Sequence, residues 1–501
     1  MNIVDRIVAY FDPHAGVRRA QMRSALAHYE AAKPGKQRKT RRDSHSPDQL
    51  VQAGAGPLRA QARFLERNHD LARGALRTLV NNIIGPNGIG IEPQPRRADG
   101  TIHEDYAKAL REAWRDWCKT PEVTHRHTWA KTQRLLARAW LRDGECFAQQ
   151  LIGPVPKLDH GTRVPFSLEL FEADMVPLDY DDGDKIRQGI ERNGWGRPVG
   201  YWVYKQNPLD AGLVSLSANL RRVSADRMLH IAAIDRIGQL RGVSEFASIL
   251  TRLDDIKDYE ESERIAAKIA AALTAYVKRG SPEDYTAQLD DEGNPIPRDI
   301  RIQPGMIIDG LGVGEEIGLI DTKRPNPNVA IFRQGQLRAA AAGIGASYSS
   351  ISRDYNGTYS AQRQELVEQW VHYAVLTDEF VGMAVQPVWE QFVAIAHLSG
   401  VVPIPADVAA GSADDALFIG QSMPWIDPLK EAKANLELTQ AGFASEVEII
   451  RRRGGNPRDV LEQIAAWREK VKEKGLTLSS DAATDKQAAG PVPANGEQDA
   501  E

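Results

Sequence analysis

The sequence predicts an α+β protein, because two kinds of periodicity alternate along the chain. Apolar residues recur at helical spacing up to Cys118 and again after Ser244, whereas the region between Glu145 and Ile231 shifts toward a period of two. Glycine, proline and asparagine turns separate these segments. With 501 residues, of which 42% are hydrophobic and 26% charged, the chain has the length of several domains and the composition of a folded protein.

Residues 1–49 are predicted to form a basic arm. They contain ten lysines and arginines against five acidic residues, and the stretch from Lys33 to Arg42 has no apolar residue. A solvated, mobile arm is the favoured interpretation, with a nucleic-acid or partner contact as the alternative. Asp5 and Asp12 lie where a secretion signal would be cationic and then apolar, and no run approaches the roughly 18–20 apolar residues of a membrane span. We therefore expect the protein to stay where it is made.

Two helices and a strand are predicted next. Apolar residues at helical spacing predict a helix over residues 57–84, which the turn residues at 85–88 end. Residues 89–93 are typical of a strand. A second helix is predicted over residues 103–118, where Trp114 shares an apolar face with other large side chains, and this face indicates core packing.

The centre of the chain predicts an antiparallel, mostly β region, then a helix, a small β insert and a returning helix. The predicted strands are residues 146–152, 166–171 and 199–204. The first helix, over residues 244–274, is acidic in its middle, and the β insert covers residues 275–325. The returning helix begins at Asn326 and Pro327 and stops at Gly343 and Gly345.

The C-terminal part is predicted to be helical. A polar, aromatic loop over residues 347–359 precedes a long helix over residues 360–397, which Pro387 should kink. The apolar stripe of this helix is predicted to be Leu366, Trp370, Ala374, Phe380, Ala384, Val388 and Phe392. Three capped helices follow at residues 427–442, 445–454 and 456–475, and the acidic residues 476–501 are predicted to be disordered.

Motifs for enzymes and metal sites are absent from the sequence or have poor spacing. There is no phosphate-binding P-loop, and the glycines of residues 310–314 lack the spacing of a dinucleotide loop. His125 and His127 have no third ligand at metal-binding spacing, so surface histidines are the favoured interpretation. Cys118 and Cys146 are expected to be buried small side chains in a reducing compartment. We predict no catalytic site, no metal and no cofactor.

The net charge of −5 argues against tight binding to nucleic acid, because simple DNA-binding proteins are basic. Pairs of carboxylates such as Asp254 and Asp258 share one helix face, which is compatible with metal-assisted chemistry. An acidic face toward a solvent-filled lumen, or toward a basic neighbour in an oligomer, is the favoured alternative.

Several segments resemble the lambda-like family of phage portal proteins. The most specific are AAAAGIGASYSSISRDY at residues 339–355 and TYSAQR at residues 358–363. The segments WIDPLKEA at residues 425–432 and RGGNPRDV at residues 453–460 are similar to the C-terminal part of that family. Further similarity lies at residues 67–85 and 236–244. Together, the resemblance covers about residues 57–475.

The resemblance implies the portal fold, with wing, stem, clip and crown regions, and a dodecameric ring around a central channel. By position, residues 50–243 and 360–425 would form the wing, residues 244–274 and 326–345 the stem, residues 275–325 the clip, residues 346–359 the tunnel loop and residues 426–475 the crown. The ring would lie at one capsid vertex of a virion assembled in the host cytoplasm.

The resemblance also implies partners and site residues. The partners would be further copies of the chain, double-stranded DNA, the large terminase, a head–tail adaptor, and the major capsid and scaffold or protease proteins, with no membrane. DNA-channel contacts are implied for Arg353, Tyr355, Asn356 and Tyr359, with contacts between subunits as an open alternative. The implied lumenal stem residues are Asp254, Asp258, Glu261, Arg333 and Arg338. The implied clip contacts with the motor or adaptor are Asp290, Asp291, Glu292 and Asn294.

A channel also accounts for the acidic balance, because a wall that repels phosphate lets DNA slide. Two alternatives stay open. One is a packaging nuclease that uses the acidic clusters with magnesium, and the other is a capsid or adaptor subunit. No acidic pair has the motif context of a nuclease, and the succession of helix, β insert and helix argues against a capsid or adaptor subunit.

Overall fold

The computed structural model describes residues 10–15, 43–211, 217–271, 275–279, 291–292, 315–319, 328–423 and 428–476. The chain divides into two units, residues 1–50 and 51–501. The second unit mixes helices with antiparallel sheets, so the predicted α+β class is confirmed. Most of the predicted N-terminal arm lies outside the described residues.

Four helices and a strand come first. They are α1 (Pro47–Asn68), α2 (Asp70–Ile84), β1 (Gly90–Pro93), α3 (Glu104–Trp117) and α4 (Trp129–Asp143). Strand β1 and helix α3 confirm the sequence predictions, whereas α4 lies in a segment for which no element was predicted. Of the two free cysteines, Cys146 is buried as expected and Cys118 is only half-buried.

The prediction of a single helix over residues 57–84 was wrong in two respects. It begins earlier, at Pro47, and it is broken at His69, whose backbone is extended with φ −129° and ψ 116°. The buried His69 ring lies with Nε2 3.0 Å from the carbonyl oxygen of Leu253. The break between the two helices therefore places the His69 side chain in contact with Leu253, which lies 184 residues later in the chain.

The β region contains two small antiparallel sheets. Its strands are β2 (Glu145–Ile152), β3 (Phe166–Glu172), β4 (Ile186–Arg187), β5 (Ile190–Arg192), β6 (Pro198–Tyr204), β7 (Leu220–Ser224) and β8 (Met228–Ala232), and a short helix α5 (Pro208–Ala211) follows β6. The strand orders are β3-β2-β8 and β4-β5-β6-β7, and β1 pairs with a later strand, β11 (Ala416–Ile419). The three predicted strands are confirmed.

An aromatic cluster joins the helices to this sheet. The ring of Trp117 stacks on Phe166 with 5.3 Å between centroids, and its Nε1 donates to the Phe166 carbonyl oxygen at 2.8 Å. Trp114 meets Phe392 at 4.9 Å between centroids. The predicted core role of helix α3 is therefore confirmed.

The next elements are a helix, two paired strands and a returning helix. They are α6 (Leu250–Ala271), β9 (Ala275–Arg279), β10 (Glu315–Leu319) and α7 (Val329–Gly343). Helix α6 begins six residues after the predicted start at Ser244. There the carbonyl oxygen of Ser244 accepts from Ala247 N at 2.9 Å and its hydroxyl from Phe246 N at 3.2 Å, so consecutive turns precede the helix. Asn326 and Pro327, the predicted helix start, lie outside the described residues.

The segment predicted as a loop contains a short helix, α8 (Tyr348–Ser352), which Ser347 caps by accepting from Ser350 N at 3.2 Å. The long helix is divided into α9 (Tyr359–Phe380) and α10 (Gln386–Leu398) by a π-helical turn at Val381–Val385. This irregularity lies in the turn before Pro387, where proline removes a backbone donor.

The predicted apolar stripe is confirmed from Phe380 onward and only partly confirmed earlier in α9. Phe380, Ala384, Val388 and Phe392 are buried, but Leu366 and Trp370 are half-buried and Ala374 is exposed. The buried face of α9 runs instead through Gln369, Tyr373, Leu376 and Phe380. A buried glutamine interrupts the apolar pattern, which is why the stripe was placed on the wrong face.

Three C-terminal helices end the described chain. They are α11 (Pro428–Gln440), α12 (Glu446–Arg452) and α13 (Pro457–Glu473). Two of the three predicted caps in this module are confirmed: Ser445 Oγ accepts from Glu448 N at 3.1 Å, and Asn456 Oδ1 accepts from Arg458 N at 2.9 Å. The third, Asp427, lies outside the described residues. The predicted disordered tail lies, apart from Leu476, outside the described residues.

Candidate functional site

Helices α6 and α7 lie antiparallel and contact each other in a continuous register. At one end, an ideal Cβ on Gly343 would approach Cγ2 of Ile249 to 2.6 Å, so the two backbones are close. Further along, the rings of Tyr259 and Phe332 meet edge-on with 4.9 Å between centroids. Gly343, which ends α7, thus permits the two helices to approach closely at this end. We call the end at Ile249 and Gly343 the base of the helix pair.

The base of this helix pair is buried and its far part is not. The buried residues at the base are Ile249, Leu250, Leu253, Ile256, Leu337, Ala340 and Ala341. The far part exposes Ile265 to 51%, Ile331 to 71% and Phe332 to 48%. Exposed apolar side chains of this size are typical of a surface that another molecule covers.

Strands β9 and β10, like helices α6 and α7, are antiparallel to each other. Ala275 pairs with Leu319 and Arg279 with Glu315. Of the predicted motor or adaptor contacts, Asp291 and Glu292 are exposed, whereas Asp290 and Asn294 lie outside the described residues. The described part of the β insert is therefore a two-stranded ribbon.

An acidic row follows the exposed face of α6. Asp255, Asp258 and Glu261 are exposed and recur every three residues, while Asp254 is half-buried. Two of the three acidic residues predicted to line a lumen, Asp258 and Glu261, thus share a free helix face. Asp255, which was not among the predicted site residues, joins them.

The two arginines predicted for the lumen contact their own chain. Arg333 Nε is hydrogen-bonded to Glu260 Oε1, which ties α7 to α6. The guanidinium of Arg338 lies over the ring of Tyr348, 5.4 Å from its centroid. Arg333 therefore neutralises the carboxylate of Glu260. Its positive charge is not paired with the exposed acidic row of Asp255, Asp258 and Glu261.

The predicted tunnel-loop residues follow helix α8. Arg353 has a left-handed backbone, φ 59°, and its N donates to the Ser349 carbonyl oxygen at 3.0 Å, which ends the helix. Its Nη2 donates to Thr78 Oγ1 on α2 at 3.1 Å. Tyr355 is 57% exposed and Asn356 is exposed, whereas Tyr359 is the first residue of α9.

Residues that the sequence analysis missed hold this loop to α9. The buried Gln369 Oε1 accepts from Ser347 N at 3.1 Å and from Ser350 Oγ at 3.0 Å. Glu365 Oε2 accepts from Ser349 Oγ at 2.6 Å. The run of serines in the loop was the available signal, since serine hydroxyls cap and cross-link turns.

A carboxylate cluster lies where α9 approaches the segment after β8. Burial and the charges of Asp235 and Glu379 raise the pKa of Glu245. Burial and the charges of Asp378 and Asp235 likewise raise the pKa of Glu379. For Glu245 and Glu379, burial and repulsion from neighbouring carboxylates therefore outweigh any attraction from positive charges.

The sequence analysis also missed a buried ion network in the β region. Glu145 is fully buried and contacts Arg59 Nη2 at 3.1 Å, His230 Nε2 at 3.0 Å and Arg241 Nη2 at 2.7 Å. Burial by itself would raise the pKa of Glu145, but the charge of Arg241 and the hydrogen bond from His230 hold it well below its usual range. Its partners lie up to about a hundred residues away, so no sequence spacing marks it.

The described residues contain neither a candidate metal site nor a candidate membrane span. In the ranges that the structure describes, no group of three or more His, Cys, Asp or Glu side chains is placed to hold a metal ion. None of the described helices has a stretch long and apolar enough to cross a membrane.

Comparison with known proteins gives a consistent family. Residues 33–376 match the family described as phage portal protein, lambda family. The chain is 25% identical to the probable portal protein of Halomonas phage phiHAP-1 over 448 residues, which cover 87% of this chain and 84% of that protein. It is 22% identical to portal protein B of Escherichia phage lambda over 441 residues, 81% of this chain and 82% of that one.

Among solved structures, the chain is similar to a protein in the neck of an empty gene transfer agent particle, with a TM-score of 0.43 and 13% identity over 79% of this chain and 94% of that one. It is also similar to an HK97-family phage portal protein from Corynebacterium diphtheriae, with a TM-score of 0.32 and 11% identity over 75% of this chain and 97% of that one.

Proposed function

Because this chain belongs to the lambda family of phage portal proteins, we propose that it forms a dodecameric ring at one capsid vertex. Double-stranded DNA enters the capsid through the central channel of this ring during packaging and leaves through it on ejection. The ring also nucleates procapsid assembly in the host cytoplasm. In this role the chain is a structural component of the virion, with no catalytic site and no cofactor.

The helix pair α6 and α7 is the observation that carries this proposal. Its base is part of the core, but its far part exposes Ile265, Ile331 and Phe332. In a ring, the same surface of every copy faces a neighbour, so these side chains become buried without any other partner. Helices α6 and α7 are thus the proposed stem, residues 275–325 the clip, and residues 426–475 the crown.

The exposed acidic row supports a channel in which DNA slides. Asp255, Asp258 and Glu261 would face the phosphate backbone, and repulsion keeps DNA from settling on the wall. Arg353, Tyr355, Asn356 and Tyr359 of the tunnel loop would make brief contacts with the backbone as it passes. Arg353 also reaches Thr78 in its own chain, which favours a role in holding the loop.

The two-stranded ribbon supports a docking role at the far end of the stem. Asp291 and Glu292 are exposed, and together with Asp290 and Asn294 they would contact the large terminase during packaging and the head–tail adaptor afterwards. The wing, residues 50–243 and 360–425, would face the major capsid and scaffold or protease proteins.

Antibody labelling of phage particles tests this proposal. Virions that carry an epitope on this chain are stained with gold-labelled antibody and viewed by electron microscopy after mild disruption. The proposal predicts label at a single vertex, at the junction of head and tail. Label over the whole capsid would identify a capsid subunit, and label along the tail would identify a tail component; either result rejects the portal role.

A further inference from the structure

Helix α9 exposes an apolar row on the side opposite its buried face. Val367 is 40% exposed, Val371 65% and Val375 51%, and they recur every four residues. Valine is a poor choice for an exposed helix, because its branched side chain loses rotamer freedom there. Packing against another surface would offset this cost.

Carboxylates flank the valine row. Glu368, Asp378 and Glu379 are exposed, and within the described part of the chain no lysine or arginine forms an ion pair with them. Glu368 accepts a hydrogen bond from Gln364 Nε2 at 3.1 Å, which adds no positive charge. Over residues 367–379 the surface of α9 is therefore apolar with an acidic border, and the exposed Arg363 lies one turn before it.

Helix α2 offers the opposite charge. Arg73 and Arg77 are exposed one turn apart, on the side away from the buried Leu76 and Leu79, and neither forms an ion pair with any residue that the structure describes. The Arg353 guanidinium reaches the same helix at Thr78 and adds a third positive charge. The surface of α2 around Arg73 and Arg77 is therefore basic, with the exposed Asp70 one turn before it.

A glycine lies between the two arginines. Gly74 is inside α2, where glycine destabilises a helix by about 1 kcal/mol relative to alanine. A Cβ at this position would meet no atom within 4 Å. Nothing within this chain therefore requires glycine here, whereas a partner helix that approaches closely would.

We propose that neighbouring copies of the chain contact each other through these helices, with the valine row of α9 on one copy packed over Gly74 of α2 on the next. Arg73 and Arg77 then meet Glu368 and Asp378 across the interface. The contact is head-to-tail, because each copy supplies both surfaces, as a closed ring needs. This inference rests on the proposed ring and names the surfaces that form it.

Charge reversal on each helix tests the pairing. Arg73→Glu with Arg77→Glu places like charges at every interface, and so does Glu368→Arg with Asp378→Arg. Each double variant alone is expected to lose rings, measured by native mass spectrometry at a concentration at which the wild-type chain is fully assembled. An equimolar mixture of the two variants is expected to regain rings, because each copy then finds an opposite charge on both sides.

Two controls keep the test decisive. The quadruple variant, with all four charges reversed, is expected to form rings by itself, which shows that the substitutions do not unfold the chain. Lys108→Glu with Arg115→Glu reverses two exposed charges on α3 and is expected to leave rings intact.

Two results would reject this pairing while the portal role stands. In the first, the wild type forms rings and both the α2 and the α9 double variants also form them. In the second, neither the mixture nor the quadruple variant restores the rings that the double variants lose. If the wild type forms no ring, the proposed function itself fails, and the pairing with it.

The glycine gives an independent measurement. Gly74→Ala and Gly74→Leu should both hold or raise the unfolding temperature of the chain, since both favour helix. Gly74→Leu should nevertheless weaken each contact by at least about tenfold, an effect of about 1.4 kcal/mol per interface, and so raise the protein concentration at which rings assemble by at least about tenfold. Normal assembly of the leucine variant would exclude a close approach at this helix.

Discussion

Arg241 and Glu145 form an ion pair in which both side chains are completely buried, with 2.7 Å between Nη2 and Oε1 and 2.9 Å between Nε and Oε2. Arg241 also donates to the Gln188 carbonyl oxygen at 2.6 Å, and Glu145 accepts from Gly242 N at 3.1 Å. The pair thus fixes the end of the β region next to the segment that leads into helix α6, so it positions the proposed stem.

Breaking this pair should destabilise the fold strongly. Arg241→Met leaves a buried carboxylate without its main counter-charge, and we expect a loss of about 3–5 kcal/mol in the free energy of unfolding. Denaturant unfolding followed by circular dichroism measures it. Arg452→Met is the matched control, because Arg452 and Glu448 form an exposed pair whose loss should cost less than about 1 kcal/mol. Equal effects of the two substitutions would show that the buried pair has no special weight.

The same carboxylate makes stability depend on pH. The pKa of Glu145 is lower in the folded chain than in the unfolded chain, where it is about 4.3. Its contribution to stability is therefore complete above the unfolded value and is lost as the pH falls toward the folded value. The free energy of unfolding should decrease below about pH 5, and Glu145→Gln, although less stable at pH 7, should show a shallower decrease. An identical slope in both proteins would contradict this account.

Several ion pairs hold the C-terminal module to β1 and α3, and the pair between Arg451 and Glu92 has the most buried carboxylate among them. Arg451 Nε and Nη2 lie 3.1 Å from the two oxygens of Glu92, whose side chain is 2% exposed. Arg451→Ala should therefore loosen α12 and α13 without unfolding the β region. Hydrogen exchange measures this as faster exchange in residues 446–473 and unchanged exchange in β2 and β3. Unchanged exchange in the module would show that other contacts hold it.

The acidic row on α6 should keep DNA mobile. Replacing Asp255, Asp258 and Glu261 with lysine would convert a repelling surface into one that binds phosphate. We expect rings to form normally and the packaged DNA per particle, measured as DNase-resistant DNA, to fall by at least about tenfold at low salt. The matched control replaces the three residues with glutamine, and its effect should be much smaller. Equal packaging by the lysine variant would place this face outside the channel.

Local signals in the sequence predicted most of the helices and their ends. Ser445 and Asn456 cap the helices predicted for them, because a cap needs only residues within one turn. Helix α4 was not predicted, since its buried face includes Thr132 and Gln133, and polar residues hide the apolar period. Gln133 is buried because its Oε1 accepts from Ile89 N at 2.8 Å, a contact across 44 residues that no local pattern shows.

The candidate site was predicted only in part for the same reason. The acidic face of α6 is visible in the sequence because Asp258 and Glu261 recur at helical spacing. The link from Arg353 to Thr78 joins residues 275 positions apart and depends on the packing of α8 on α2. The residues next to Arg333 in the sequence do not show whether its side chain pairs with a carboxylate of its own chain or faces the lumen. Its position could therefore not be predicted.

Electron microscopy with mass determination on the purified chain tests the central claim most directly. The account predicts rings with a central hole and a mass close to twelve times 55.4 kDa. A compact monomer or dimer under every condition tried, with no ring at any protein concentration, would contradict it.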